Sequence, residues 1–373
     1  MVRSDLPAAA QYTPRQWKAL WIAAITVAVV VSVTVVVAVG SITAVPMSRL
    51  PASDVRVAWL MPTTRLIADT SAAITVGCCL AASLLPTARQ GISLPGARWL
   101  RYATWSAAAW ATAAAAAVPG MFVEFLNTNL GNVSVRAISS FLVSVPEGTA
   151  QATVVFLAAL VAAASRSVLT MVGVRTLLLL SLLAGIPGSV VEHLEDDGSR
   201  YEVAVASTAS VLHVAGALAW SGALAALLLL RRLTAHQLVT AVTRYSRLAP
   251  VLVVLVGSSG LLSAGLELRT PGQIVSTAYG RVIVLKALAL TALLAVGWWH
   301  RRRTLIALVG GHPHAFRRAA AVEVLIFAAT IGLAVGLSRT PEPAAVAVNG
   351  INTVNLVAGT DIAVAPDGGT YTG

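Results

Sequence analysis

Residues 210–230 read SVLHVAGALAWSGALAALLLL, and His213 is the only ionisable side chain in this apolar stretch. A helix needs about 20 apolar residues to cross a hydrocarbon core of roughly 30 Å. The stretch therefore predicts a transmembrane helix that carries a histidine near the middle of the membrane. A polar side chain at that depth is costly, so His213 is the first residue whose role needs an explanation.

The whole chain has the composition of a polytopic membrane protein. Of its 373 residues, 57% are hydrophobic and 11% are charged, whereas soluble domains carry about 25% charged residues. We predict an all-α integral membrane helical bundle of about nine transmembrane helices. The predicted spans are Lys18–Ala44, Thr64–Leu85, Trp99–Val118, Val143–Ala164, Met171–Val190, Val203–Leu230, Leu248–Leu266, Arg281–Trp299 and Ala319–Leu337.

The placement of charges tests the number of spans independently of hydropathy. If the N-terminus is cytoplasmic, most arginines and lysines fall on the inner side, and the acids other than Asp5 and Glu323 fall at or near the outer side. This is the positive-inside pattern, and it predicts nine helices with the N-terminus in and the C-terminus out. The formal net charge of +11 is then explained by contacts with an anionic inner leaflet of the lipid bilayer, and no nucleic acid partner is expected.

The sequence lacks the common motifs of catalysis. It has no Walker loop, dinucleotide-binding fingerprint, HExxH motif or nucleophile elbow, so we expect no enzyme activity. Cys78 and Cys79 are neighbours on a predicted helix and point about 100° apart, which favours two buried thiols over a disulfide. Residues 119–142 are predicted to form a re-entrant or interfacial loop after the third span.

Function is expected to come from the few polar groups at membrane depth. Neutral imidazole is a good ligand for copper or zinc, which makes His213 a candidate metal ligand. The alternative role of His213 is a structural hydrogen bond to a neighbouring helix. Trp220 lies two turns further along the same face of the helix, and it is either a packing residue or a softer ligand candidate.

Three charged residues, Asp69, Lys286 and Glu323, are further candidates within the predicted spans. Lys286 and Glu323 are predicted to lie roughly 15 Å apart along the membrane normal, which disfavours a direct ion pair. Lys286 can instead reach the outer interface or pair with Asp69. Simple snorkelling toward the nearer interface is the alternative role for Lys286 and Glu323.

His193 lies in a predicted outer loop, VVEHLEDDGSRYE, residues 190–202. The acids around it attract cations, so His193 is a second candidate metal ligand, at the outer mouth of the bundle. An ordinary solvated loop has the same composition and is the alternative interpretation. The acids are Glu192, Glu195, Asp196 and Asp197.

Four ordered segments of the C-terminal half resemble the copper resistance protein D (CopD) family. They contain the histidine and tryptophan of the sixth span, a Tyr-Gly-Arg followed by a lysine in the eighth, and Val-Glu followed by Ser-Arg-Thr-Pro in the ninth. The segments are LHVAGALAWSGALAAL (212–227), SRLAPVLVVLVGSSGLLSAGLEL (246–268), TAYGRVIVLKALALTALLAVGWWHRRR (277–303) and FRRAAAVEVLIFAATIGLAVGLSRTPEP (316–343). The N-terminal half is similar to the corresponding part of actinobacterial proteins in which CopD is fused to a cytochrome c oxidase assembly (CtaG) domain.

The resemblance implies three regions and a copper-related function. The regions are an N-terminal membrane region of about five helices (1–202), a CopD-like four-helix domain (203–342) and a flexible extracytoplasmic tail (343–373). The implied function is transport or handling of copper ions at the inner (plasma) membrane, with a copper-carrying periplasmic protein as partner and a respiratory oxidase or its assembly factors as recipient.

Two other functions are compatible with parts of the sequence. The bundle could be a structural or assembly subunit of a respiratory complex that binds no metal. A b-type cytochrome needs paired histidines at compatible depths, and only His213 lies at mid-membrane, so no haem is expected. A second membrane histidine, which many CopD members carry in an early helix, is absent, and the second span offers Asp69 instead.

Overall fold

The computed structural model describes residues 14–42, 55–85, 91–126, 128, 131, 133–191, 193, 199–229, 233–268, 270, 272–309 and 313–337. These residues form twelve α-helices and no β-strand. The helices are α1 Pro14–Ile42, α2 Val55–Leu84, α3 Leu94–Leu126, α4 Val135–Ser144, α5 Pro146–Ala164, α6 Met171–Ala184, α7 Pro187–Val191, α8 Arg200–Leu229, α9 Ala235–Glu267, α10 Gln273–Ser276, α11 Ala278–Val309 and α12 Pro313–Leu337.

Eight segments of the described residues are long and apolar enough to cross a membrane, against nine predicted. They lie in α1, α2, α3, α5, α6 with α7, α8, α9 and α11. The ninth predicted span corresponds to α12, in which the apolar part Ala321–Val335 is shorter than the other eight. The predicted all-α polytopic membrane bundle is confirmed, and the sidedness stays a prediction.

Several helices extend beyond the apolar segments that predict them. The seventh predicted span, Leu248–Leu266, is part of α9, which begins at Ala235. Thr234 caps this helix: its hydroxyl accepts a bond from the backbone N–H of Gln237 at 3.2 Å, and the Gln237 side chain accepts one from the backbone N–H of Thr234 at 3.2 Å. This capping box starts the helix in a polar segment that hydropathy leaves out.

The prediction of a loop over residues 119–142 is wrong at both of its ends. Helix α3 continues through Pro119 to Leu126, because a proline is tolerated in a membrane helix when neighbouring groups satisfy the freed carbonyl. A separate amphipathic helix, α4, then begins after the N-cap Ser134, whose hydroxyl accepts a bond from the N–H of Ala137. The ring of Phe141 in α4 packs edge-on against Phe122 of α3, with ring centroids 5.8 Å apart.

The centre of the bundle is the crossing of α2 and α8. Gly77 and Gly222 face each other there, and a Cβ atom on either would meet the backbone of the other helix. In lipid, helices associate by close packing of small residues, because the hydrophobic effect does not drive them together. A hydrogen bond also joins α8 to α3. The indole of Trp99 on α3 is fully buried and donates its N–H to the carbonyl of Ala226 on α8 at 2.8 Å.

The first and last described helices pack side by side. Gly332 of α12 lies against the backbone of α1, where an added Cβ would come within 2.6 Å of the Ala28 carbonyl oxygen. This glycine therefore serves the contact between α12 and α1. Helix α12 touches α8 through Phe327 instead, whose ring is perpendicular to that of Trp220 at a centroid distance of 4.9 Å.

The two cysteines are buried thiols, as predicted. Both side chains have no exposed surface and neither forms a disulfide. The thiol of Cys79 lies 4.0 Å from the hydroxyl of Ser181 on α6. Together with α3 and α8, the cysteines belong to one continuous core that contains residues from both the N-terminal and the C-terminal halves of the chain.

Candidate functional site

His213 lies near the middle of α8 and faces α9. Its Nδ1 atom is 3.0 Å from the carbonyl oxygen of Val256 and 3.3 Å from the hydroxyl of Ser259. Because a carbonyl oxygen only accepts hydrogen bonds, this contact assigns the ring proton to Nδ1. In the neutral ring, Nε2 then carries the lone pair, and it has no hydrogen-bond partner among the described residues.

The wall of α9 beside His213 is shaped by small residues. A Cβ atom at Gly260 would lie 2.9 Å from Cε1 of the imidazole, so glycine leaves the space in which the ring sits. Ser259 is held in place because its hydroxyl donates to the carbonyl of Leu255 at 2.6 Å. On the other helix, Gly216 lets the side chains of Leu255 and Val256 approach α8. Small residues on both helices thus let α8 and α9 pack closely beside His213.

Lys286 is a charged neighbour of both His213 and Asp69. Asp69 of α2 forms an ion pair with Arg65, one turn away on the same helix, at 3.7 Å. Lys286 of α11 is close enough to interact electrostatically with Asp69 and with His213. The structure thus brings these three residues into one polar region, which we call the His213 region.

Trp220 and Glu323 belong to a second polar region, nearer the predicted inner end. Trp220 is buried, and its carbonyl accepts a hydrogen bond from the hydroxyl of Tyr245 of α9 at 3.3 Å. Tyr245 interacts electrostatically with the carboxylate of Glu323. Phe327, one turn after Glu323 on α12, packs on the Trp220 ring. We call Trp220, Tyr245, Glu323 and Phe327 the Glu323 region.

The two regions are at different depths. The Glu323 carboxylate lies opposite Gly297, with Oε1 3.9 Å from the place of a Cβ atom on that glycine. Gly297 is eleven residues after Lys286 on α11, which corresponds to about 16 Å along the helix axis. This placement is consistent with the predicted separation of Lys286 from Glu323.

His193 follows α7, and its backbone N–H donates to the carbonyl of Val190 at 3.3 Å. The four acids around it lie outside the described residues, so the cation-attracting mouth stays a prediction. Among the residues that the structure describes, no group of three or more His, Cys, Asp or Glu side chains has the arrangement of a metal site.

Tyr245, Val256 and Ser259 are absent from the sequence-based candidates. Tyr245 precedes the predicted seventh span, and only the capping box at Thr234 indicates that the helix already contains it. Val256 contributes a backbone carbonyl, which no side-chain pattern reveals. Ser259 lies within a run of small residues that predicts packing.

Comparison with known families identifies part of the chain. Residues 239–337, from the first turns of α9 to the end of α12, match the family Copper resistance protein D (CopD), and the resemblance stated from the sequence is confirmed over this segment. The match includes Tyr245, Lys286 and Glu323, whereas His213 and Trp220 on α8 precede it. No curated protein and no solved structure matches the chain significantly.

Proposed function

We propose that this protein moves copper ions across the plasma membrane and that Nε2 of His213 binds the ion within the bundle. The CopD match supports copper as the cargo. The proposed role of His213 as a ligand is supported by the hydrogen bond that its Nδ1 donates to the Val256 carbonyl at 3.0 Å. Metal-binding histidines commonly donate their second ring N–H to a carbonyl, which orients the ring and raises the basicity of the ligand nitrogen.

The surroundings of His213 suggest how a cation is handled. Imidazole binds copper well, and the remaining coordination positions would be filled by water, by the cargo's own ligands or by a carrier protein. Lys286 and Arg65 repel a cation at short range, and the single carboxylate of Asp69 offsets only one of these two positive charges. The remaining repulsion favours a weakly held ion that can move on over one that is held permanently.

The path runs from the predicted outer mouth near His193, through the His213 region, to the predicted inner end. Uptake in this direction would supply copper for cytochrome oxidase assembly. The carrier of copper to the outer mouth would be a periplasmic copper protein. Copper accumulation in cells tests the inward direction of this path.

The second candidate function is a metal-free structural or assembly subunit of a respiratory complex. The observation that favours it is the same hydrogen bond, because a histidine that joins two helices through a backbone carbonyl also fulfils a structural role. The two functions differ in what Nε2 does, and substitutions of His213 can separate them.

The test compares three variants in copper binding and thermal unfolding of the purified protein. His213→Ala removes the ligand and the hydrogen bond, and His213→Asn keeps a donor for the Val256 carbonyl while removing Nε2. His236→Ala, on the exposed surface of α9, is the control. We expect both His213 variants to lose copper affinity by more than about 100-fold and to accumulate less copper in cells. Normal copper binding by folded His213→Asn would favour the structural function.

A further inference from the structure

A basic patch lies at the end of the bundle where α3 begins and α5 ends. It contains Arg98 and Arg101 of α3 and Arg166, which follows α5 by two residues. The Cζ atom of Arg166 lies 5.3 Å from the centroid of the Trp105 ring on α3, which is the distance of a cation–π interaction. Arg98, Arg101 and Trp105 are three and four residues apart, so they lie on one face of α3. We call these four residues the Trp105 patch.

Backbone contacts hold the two parts of the patch together. The N–H of Ile92, before α3, donates to the carbonyl of Leu169, which follows Arg166 by three residues, at 3.3 Å. Gly91 permits this approach, because its φ is +117° and a Cβ atom there would lie 2.5 Å from the Leu169 carbonyl oxygen. Only glycine adopts such a conformation readily. The segment that carries Arg166 is therefore fixed beside the start of α3.

The patch lies at the depth of the lipid head groups. Helix α5 has 19 residues, or about 29 Å of length, which matches the hydrocarbon core of roughly 30 Å. The side chain of Gln151 on α5 donates to the carbonyl of Ala114 on α3 at 2.6 Å and so aligns the two helices. Trp105 is nine residues before Ala114, and the ninth residue after Gln151 is Leu160, about one turn before the end of α5. Trp105 thus lies near the boundary between hydrocarbon and head groups, where tryptophan is enriched in membrane proteins.

Lipid has access to this part of the surface. Trp105 is 68% exposed, and Arg101 and Arg166 are also exposed. Further into the membrane, Phe156 and Leu160 of α5 are four residues apart and are 66% and 40% exposed. These two side chains form an apolar strip on one face of α5. The strip leads away from the arginines in the direction that an acyl chain takes from its head group.

Carboxylates are absent from the sequence segments that build the patch. Residues 70–123 and 148–191 contain no Asp or Glu. Glu124 and Glu147 lie at the opposite ends of α3 and α5, each 19 residues from the nearer of Trp105 and Arg166, or about 28 Å along a helix. Asp69 lies in the middle of α2 and forms an ion pair there. The patch therefore carries a positive charge that these acids do not neutralise.

We propose that the Trp105 patch binds the head group of an anionic phospholipid. The phosphodiester accepts hydrogen bonds from the guanidinium groups of Arg101 and Arg166, and the Trp105 ring holds the Arg166 group in place for this contact. Guanidinium groups match the geometry of phosphate oxygens, and basic surfaces between membrane helices bind anionic head groups. An acyl chain of the same lipid lies along Leu160 and Phe156.

The depth of the patch favours a lipid over a soluble acidic protein as its partner. The inference is also independent of the copper cargo, because none of the four residues of the patch belongs to the proposed copper path.

The experiment counts phospholipids bound to the purified full-length protein in neutral detergent by native mass spectrometry. Phosphatidylglycerol is the anionic lipid, and phosphatidylcholine with the same acyl chains is the neutral reference. The variants are Arg101→Gln, Arg166→Gln and Trp105→Leu, and each should fold because the three side chains are exposed. Arg247→Gln is the matched control, since Arg247 is an exposed arginine just before the predicted seventh span, at the same predicted end of the bundle.

We expect the wild type and Arg247→Gln to bind phosphatidylglycerol more tightly than phosphatidylcholine. Arg101→Gln and Arg166→Gln should each weaken the binding of phosphatidylglycerol by about fivefold, and Trp105→Leu by about two- to fivefold. Binding of phosphatidylcholine should stay unchanged. Inorganic phosphate at the same concentration should not displace phosphatidylglycerol, because it has no acyl chain to contact Leu160 and Phe156.

Three results would overturn the proposal. Equal binding of the two lipids by the wild type is one, and it is the result expected if the patch binds an acidic protein instead. A loss in Arg247→Gln as large as that in Arg166→Gln is another, because any exposed arginine would then serve. Displacement by inorganic phosphate is the third, since the ligand would then be a free anion. Each of these results leaves the proposed copper transport standing, because copper binding at His213 is measured separately.

Discussion

The two sides of α8 are built differently. One side crosses α2 at Gly222 and Gly77, where the backbones touch and no side chain fits between them. The other side carries His213 and Trp220, which contact α9 and α12 through hydrogen bonds and aromatic rings. The first side fixes the helix in the bundle. The second side holds polar groups that bond to neighbouring helices through side chains and single carbonyls, so one helix combines a close backbone crossing with a polar face.

The largest expected effect is on the rigid side of α8. Gly222→Ala places a methyl group against the backbone of α2, which a packed crossing cannot absorb by moving a side chain. We expect the free energy of unfolding to fall by about 3 kcal/mol or more, measured as a lower Tm of the purified protein in detergent. The control is Gly265→Ala, since no atom lies within 4 Å of a Cβ there, and it should be neutral or slightly stabilising.

An equal Tm for Gly222→Ala and Gly265→Ala would contradict the distinction between the two sides. It would show that the α2 and α8 crossing has room to separate, and that the rigidity assigned to this side of α8 is not needed for stability.

A smaller effect on stability is expected from loss of the hydrogen bond between α3 and α8. Trp99→Phe keeps an aromatic ring in the core and removes the N–H that bonds to the Ala226 carbonyl at 2.8 Å. The loss of this bond and of part of the packing should cost about 1–2 kcal/mol, again read from Tm. Trp59→Phe is the control, because 48% of Trp59 is exposed, and a Tm as low as that of Trp99→Phe would argue against this role of the bond.

The smallest effect is expected on the polar side of α8. Ser259→Ala removes the weaker of the two contacts to Nδ1 of His213 and leaves the Val256 carbonyl in place. Copper affinity should fall by less than about tenfold, measured by competition with a copper(I) chelator. Ser258→Ala, on the exposed face of the same turn, should have no effect. A loss as large as that of His213→Ala would mean that Ser259 and not Val256 orients the ring.

The class of the fold follows from the sequence because lipid allows few alternatives. A chain of this composition has to satisfy its backbone inside each segment, so apolar stretches predict helices almost directly. Ends are harder to predict: α9 starts outside its apolar segment, and α3 continues through Pro119. In both cases local hydrogen bonding and neighbouring helices, which hydropathy does not include, decide where the helix ends.

The candidate site is only partly predictable for a different reason. His213, Lys286 and Glu323 can be found because ionisable residues are rare in apolar segments. Their partners are a carbonyl at Val256 and a phenol at Tyr245, and nothing in the sequence singles out either one. Local sequence patterns also do not determine which helices lie side by side. The contact between the glycines of α2 and α8 could therefore not be predicted from the sequence.

The hydrogen bond between Trp99 and Ala226 can form only late in the synthesis of the protein. The two residues are 127 positions apart, and Arg244 of α9 donates to the carbonyl of Leu84 at the end of α2, 160 positions earlier, at 2.8 Å. When α2 and α3 enter the membrane during synthesis, neither of these partners exists yet. The faces of α2 and α3 that contact α8 and α9 in the bundle therefore stay uncovered by them in the bilayer. The bundle is completed only after α8 and α9 have been inserted.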